Sequence, residues 1–285
     1  MKKYFALLFL SIVICLITSV QGQNTSNDNA SIKKTALDYA EGFYSGNADR
    51  MENAIHPDLR KVVVKVLPQT GNPILQYSTF SELVELSRAK VGDLAPDKRK
   101  LEVTVLNDDG DVACAKLTSA KFNDYLQMAK FGGQWKIVNV LWTPGPDATR
   151  KPKLDNFDPS KERGVIESTA KTFLENIYSG DATDLEKSIM PEISSATLLK
   201  LPQTDRYMID RNGFSSLVEF TKAKLLMVSA DNRNVTINIL DIMDGMAFVK
   251  AESAVSTSYF QMQKIGNDWK IINILSVPKP GPKNK

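Results

Sequence analysis

The segment Tyr125–Leu141 returns 134 residues later as Tyr259–Leu275, and most of the chain repeats around it at the same offset. Tyr44-Ser-Gly46 becomes Tyr178-Ser-Gly180, Leu67-Pro-Gln-Thr70 becomes Leu201-Pro-Gln-Thr204, and Trp135-Lys-Ile137 becomes Trp269-Lys-Ile271. The offset slips by one only at the turns Asp109-Gly110 and Asp244-Gly245, where a surface loop tolerates an insertion. The chain must therefore fold as something that can be built twice, and 285 residues give each copy enough length for its own core. Both copies of the segment read as β-hairpins. Their strands are aromatic and β-branched, and Gly132-Gly133 or Gly266 supplies the positive φ of a tight turn.

The remaining boundaries follow from composition. Lys2 and Lys3 precede the apolar run Phe5–Ile17, and Gly22 offers a small residue for cleavage, so residues 1–22 read as a signal peptide and predict export to the periplasm or beyond. Residues 23–30 are polar and are expected to form a disordered leader. The first domain then spans 31–143, a Pro-rich, charged linker 144–163, the second domain 164–277, and a basic, Pro-rich tail 278–285. Removing residues 1–22, with their two lysines, from 36 basic and 33 acidic side chains leaves a charge of +1. That balance gives no footprint for nucleic acid, and none for a membrane beyond the signal peptide. Cys114 is then the one remaining cysteine, a core residue with no internal disulfide partner.

Within the first repeat, Ala36, Tyr39, Ala40, Phe43 and Tyr44 have helical spacing that Gly46 ends. Met51, Ala54 and Ile55 mark a short helix before Pro57, Leu59–Leu67 is extended, and Pro68–Pro73 turns. Thr79 and Glu82 have capping-box spacing ahead of a helix running to about Val91. Three strands follow, Leu101–Leu106, Asp111–Met128 and Trp135–Trp142. Helices first and strands afterwards predict an α+β fold with helices on one face of an antiparallel sheet. Strand Trp135–Trp142 is apolar on both alternating faces, with Trp135, Ile137 and Leu141 on one and Val138, Val140 and Trp142 on the other. It should be covered twice, by its own helices and by the sheet of the other repeat, so the two domains pair within the chain.

These elements resemble the nuclear transport factor 2-like superfamily, and within it the group described as putative lumazine-binding. The likeness rests on Ala36–Gly46, on Met51–Leu59 with its His56-Pro-Asp58, on Asp124-Tyr-Leu-Gln-Met128, and on the Gly-turned Trp135-Lys-Ile-Val-Asn-Val140 hairpin, and it covers nearly all of both repeats. The resemblance implies two tandem cones, each a curved antiparallel sheet wrapped around helices with a mostly apolar pocket inside. It also implies a superfamily that hosts ketosteroid isomerase-like and polyketide cyclase-like enzymes beside non-enzymatic binding modules, so fold alone selects no activity.

Tyr39 matches the helical position of the oxyanion-stabilising tyrosine in the isomerase branch, whereas that branch's carboxylate base falls on Val63 here. The mature chain offers one histidine, His56, and no metal-ligand spacing or phosphate loop, so neither metal nor cofactor is expected. These features favour a non-catalytic module for a small apolar or aromatic molecule or a partner protein, over an isomerase- or cyclase-like enzyme using Tyr39 and His56. The candidate ligand residues are Tyr39, His56, Lys65, Tyr125 and Trp142 of the first repeat. Four of them change at the common offset, to Phe173, Met190, Leu199 and Ser276, so the ligand is expected in the first cone.

Overall fold

The computed structural model describes residues 20–149, 157–204 and 206–279. Most of the expected signal peptide, the centre of the linker and most of the tail lie outside them. In the first domain, helices α1 (Val20–Ser45) and α2 (Ala48–Ala54) lead into strand β1 (Ile55–Val66), and β2 (Pro73–Ser78) precedes helix α3 (Phe80–Arg88). The strands β3 (Glu102–Asp108), β4 (Val112–Thr118), β5 (Phe122–Phe131) and β6 (Gln134–Pro144) complete it. The second domain repeats this order with α4 (Pro159–Ser179), α5 (Leu185–Ser188), β7 (Ile189–Lys200), β8 (Tyr207–Asn212), α6 (Phe214–Lys222), β9 (Thr236–Met243), β10 (Met246–Glu252), β11 (Ser256–Ile265) and β12 (Asp268–Pro278).

Each sheet has six strands, in the orders β2-β1-β6-β5-β4-β3 and β8-β7-β12-β11-β10-β9. Pairing is antiparallel except at β1–β6 and β7–β12. The concave faces close over α1 and α4, giving two α+β cones with separate cores. Gly46 at φ 67° and Gly180 at φ 76° end the two long helices in the left-handed conformation, which costs a glycine little. At α3 the expected capping box is formed by Thr79 and Glu82.

Three expectations are corrected. Residues 23–30 are not a disordered leader, because α1 runs through them. Asp28, near the end of this stretch, accepts from Lys130 at 2.9 Å, just as Glu162 pairs with Lys264 in the second copy, so a tertiary contact ties α1 to β5 there. The single strand expected over Asp111–Met128 is two, β4 and β5. Their turn needs neither Gly nor Pro, because the Ser119 hydroxyl accepts from the Phe122 amide at 3.1 Å and the Tyr44 hydroxyl on α1 accepts from the Lys121 amide at 3.1 Å. On β6 a bulge shifts the register between Gln127 and Met128 on its partner, β5, and this reverses the alternation beyond it. Trp135, Ile137, Val140 and Trp142 therefore face the first core, while Val138 and Leu141 face away.

The outward faces of the two sheets pack on each other. Val62, Tyr125, Val138 and Leu141 meet Phe248, Tyr259, Ile272 and Leu275 in one buried cluster that also holds Cys114. Pseudo-twofold hydrogen bonds cross it, with the Gln127 amide donating to the Tyr259 carbonyl at 2.8 Å and the Gln261 amide to the Tyr125 carbonyl at 2.7 Å. Asn139 and Asn273 in turn donate to the two glutamine oxygens, at 2.7 and 2.8 Å; Asn139 Oδ1 accepts from Arg211, while Asn273 Oδ1 is buried without a partner among the described residues.

Candidate functional site

The inward face of the first cone carries a buried ionic group. Tyr39 comes from α1, Lys61 from β1 just beyond its irregular stretch, and Asp124 from β5 two residues after the Ser119 turn. The Tyr39 hydroxyl donates to Asp124 Oδ2 at 2.9 Å, and Lys61 Nζ donates both to the same oxygen at 3.3 Å and to the Tyr39 hydroxyl. The ammonium also lies 5.1, 4.9 and 5.0 Å from the ring centres of Tyr39, Phe122 and Trp142. Burial drives the Lys61 amine below its usual range and the Asp124 carboxyl above its own, each opposed by the charge beside it. Burial, then the Asp124 carboxylate, pushes the Tyr39 hydroxyl well up. Beside this group Phe43 closes over Gly92, where a Cβ would lie 2.3 Å from the ring.

Of the residues expected in this pocket, Tyr39 and Trp142 are brought together, around a lysine and an aspartate that the sequence reading passed over. His56 is not with them. It lies in the irregular stretch of β1, its ring 4.4 Å from Phe131 and its Nδ1 accepting from the Asp58 amide at 3.1 Å. Burial, Arg211 and Lys136 outweigh the pull of Asp58 and lower its pKa. Lys65 is exposed near the end of β1. Tyr125 points the opposite way from Asp124, because neighbours on a strand alternate, and its hydroxyl donates to Asp241 Oδ2 of the second domain at 2.6 Å. Lys61 and Asp124 did leave a signal, since both stand on the inward phase of apolar strands and both become serine at the common offset.

The second cone keeps the walls and changes what lies between them. Tyr39, Phe43 and Lys61 are replaced by Phe173, Ile177 and Ser195, and Phe122, Asp124 and Trp142 by Ser256, Ser258 and Ser276. These replacements open a cavity of about 370 Å³. One wall is helix α4, with Phe173, Leu174 and Ile177; the facing wall carries the hydroxyls of Ser195, Thr197, Ser258 and Ser276. No Asp, Glu, Lys, Arg or His of the described residues lines it. At its mouth Val91, Gly92, Asp93 and Lys121 of the first copy are replaced by Leu225, Leu226, Met227 and Val255. Leu225 is 70% exposed and Met227 52%, so the rim is apolar toward solvent. Tyr178 keeps the position of Tyr44 and bonds Ser253 at 3.0 Å and Ser256 at 3.2 Å, holding the β10–β11 turn beside the opening.

Among the described residues no cluster of three or more His, Cys, Asp or Glu could hold a metal, and no helix is long and apolar enough to cross a membrane.

The pattern of a family described as putative lumazine-binding matches residues 27–143 and again 161–275. No curated protein matches the chain. Solved structures similar to it include a nuclear transport factor 2-like protein of unknown function from Silicibacter pomeroyi, 17% identical over 42% of this chain and 98% of that one, with a TM-score of 0.36. A ketosteroid isomerase-like protein from Erwinia carotovora atroseptica is 14% identical over 40% of this chain and 94% of that one, TM-score 0.30. A de novo designed protein with a curved β-sheet is 16% identical over 41% and 97%, TM-score 0.28. At these values the structures carry no argument about function.

Proposed function

The chain belongs to the putative lumazine-binding family, matched once in each repeat, and from that premise we propose that it is a non-catalytic binding protein whose small, largely apolar ligand occupies the cone of the second domain. The observation that carries this is the paired replacement of Lys61, Phe122, Asp124 and Trp142 by four serines, which opens a cavity in one cone where the other holds an ion pair against two aromatic rings. A cavity of about 370 Å³ is within the range of small-molecule pockets, about 300–1,000 Å³, and holds a bicyclic ring system of the kind the family's description suggests.

Chemistry finds little support in either cone. Among the described residues the second has no carboxylate, imidazole or amine along its wall, and a positioned general base is worth about 10² to 10⁴ in rate. In the first, Tyr39 and Lys61 both donate to Asp124 Oδ2 beside the rings of Phe122 and Trp142, while Asp124 Oδ1 is buried without a partner among the described residues. That arrangement suits a plug that keeps one cone closed while the sheets pair. Export, which would place the binding site in the periplasm or outside the cell, belongs to the same proposal; it requires the mature protein to begin near Gln23, which N-terminal sequencing reads directly.

Native mass spectrometry of the protein purified from its source tests the binding reading. An added mass of a few hundred daltons should accompany the wild type and the Tyr39→Phe variant and be missing from Ser276→Trp, which restores the large residue of the first cone. An added mass retained in a folded Ser276→Trp protein would overturn the placement.

A further inference from the structure

Resting on that reading, we infer that the second cone selects an uncharged molecule carrying one carbonyl- or hydroxyl-type group, seated on a row of hydroxyls across three strands. The row is set by register. Ser276 on β12 pairs with Thr197 on β7 and with Ser258 on β11, and side chains directly opposite one another on one face are near neighbours. All three line the cavity, and Ser195 lies on the same face two residues from Thr197. The opposite wall is the apolar side of α4, so the space has one hydrogen-bonding side and one that offers only dispersion contact.

The hydroxyl inventory defines the partner. Ser258 and Ser276 lie 2.8 Å apart and share one hydrogen between them. A second hydrogen and several lone pairs remain, so the pair can donate to a carbonyl or accept from a hydroxyl. An ionised group has no such match, because no Asp, Glu, Lys, Arg or His of the described residues reaches this space and an uncompensated buried charge is costly. The first copy makes the same point in reverse. On the corresponding wall it carries a carboxylate and an ammonium together, each neutralising the other, and the second copy has replaced both by serine.

Three probes of one shape separate the possibilities: 2-naphthol, 2-methylnaphthalene and 2-naphthoate, titrated into the full chain near pH 7. We expect 2-naphthol to bind about fivefold or more tighter than 2-methylnaphthalene, the fold-change of one net buried hydrogen bond. The carboxylate should bind at least about tenfold more weakly than 2-naphthol. In Ser258→Ala/Ser276→Ala the advantage of 2-naphthol should vanish while 2-methylnaphthalene still binds, which also shows that the variant cone is intact. Naphthoate binding as tightly as naphthol, or an undiminished naphthol advantage in the double variant, would overturn the inference and leave the binding reading standing. Failure of all three probes to bind would count against the binding reading itself, and the inference falls with it.

Discussion

Removing the amine of Lys61 should do more harm than removing the whole ion pair. Lys61 Nζ and Asp124 Oδ2 are 3.3 Å apart, so at an effective dielectric of about 20 their attraction is on the order of 5 kcal/mol. Taking two ions out of water costs several kcal/mol each, which leaves the net worth of the pair small. Deleting one partner strands the other, at about 3–5 kcal/mol. We expect Lys61→Met and Asp124→Leu each to lose stability of that order, and the double variant to recover a large part of it. In Lys61→Met the stranded Asp124, whose folded pKa burial already raises, can escape its cost by keeping a proton. Because that folded pKa lies above the unfolded one, the folded state holds the extra proton and stability falls as pH rises. The fall is about 1.4 kcal/mol per pH unit from about pH 4 up to the folded pKa. Urea unfolding followed by tryptophan fluorescence, with Trp269→Phe as the common background so that Trp135 and Trp142 report the first domain, measures all four proteins. Single variants within about 0.5 kcal/mol of wild type, or a double variant that loses the sum of the singles, would refute the picture of a dry, mutually dependent pair.

The indole N–H of Trp135 is buried without a partner, whereas that of Trp269 donates to Glu162 at 2.7 Å. Asp28 holds the position of Glu162 but is one methylene shorter, so Asp28→Glu should stabilise the first domain by about 1 kcal/mol, read as a higher urea midpoint. At the domain interface burial opposes ionisation of Asp109, but hydrogen bonds from Tyr259 and Lys250 prevail and lower its pKa. Its contribution is thus present above the unfolded carboxylate pKa and is lost as pH falls through the folded one. The interface should loosen below about pH 4 in hydrogen exchange, and Asp109→Asn should be loosened already at pH 7. Residues 157–285 expressed alone uncover Phe248, Tyr259, Ile272 and Leu275, and should self-associate in light scattering; a monomer of undiminished stability would contradict the sheet-on-sheet contact.

The repeat and the two-sided strand were legible because periodicity is carried by residue type alone, whereas the cones followed from the family resemblance. What was not legible turned on single residues. The Ser119 turn has no Gly or Pro to announce it, and one bulged residue on β6 exchanges the faces of Val140 and Leu141. A first-cone site rests on polar and aromatic side chains as handles, but Lys61 there pairs with Asp124 and lies over the Trp142 ring, so the same groups occupy space; the second-cone site we propose rests on the space itself. The serines that look like losses in sequence are what makes room. Comparing the volumes of the two copies position by position, beside their chemistry, would have pointed to the second cone.

Methyl spectra of the protein labelled at methionine locate a ligand most directly, because the two cones carry different methionines. Met227 stands at the mouth of the second cavity, while Met51 and Met128 are buried in the first core. On titration with 2-naphthol, with Met227 assigned through Met227→Leu, the Met227 resonance should shift saturably and those of Met51 and Met128 should stay in place. A saturable shift of Met51 and Met128 with Met227 unmoved would put the ligand in the first cone and contradict the account.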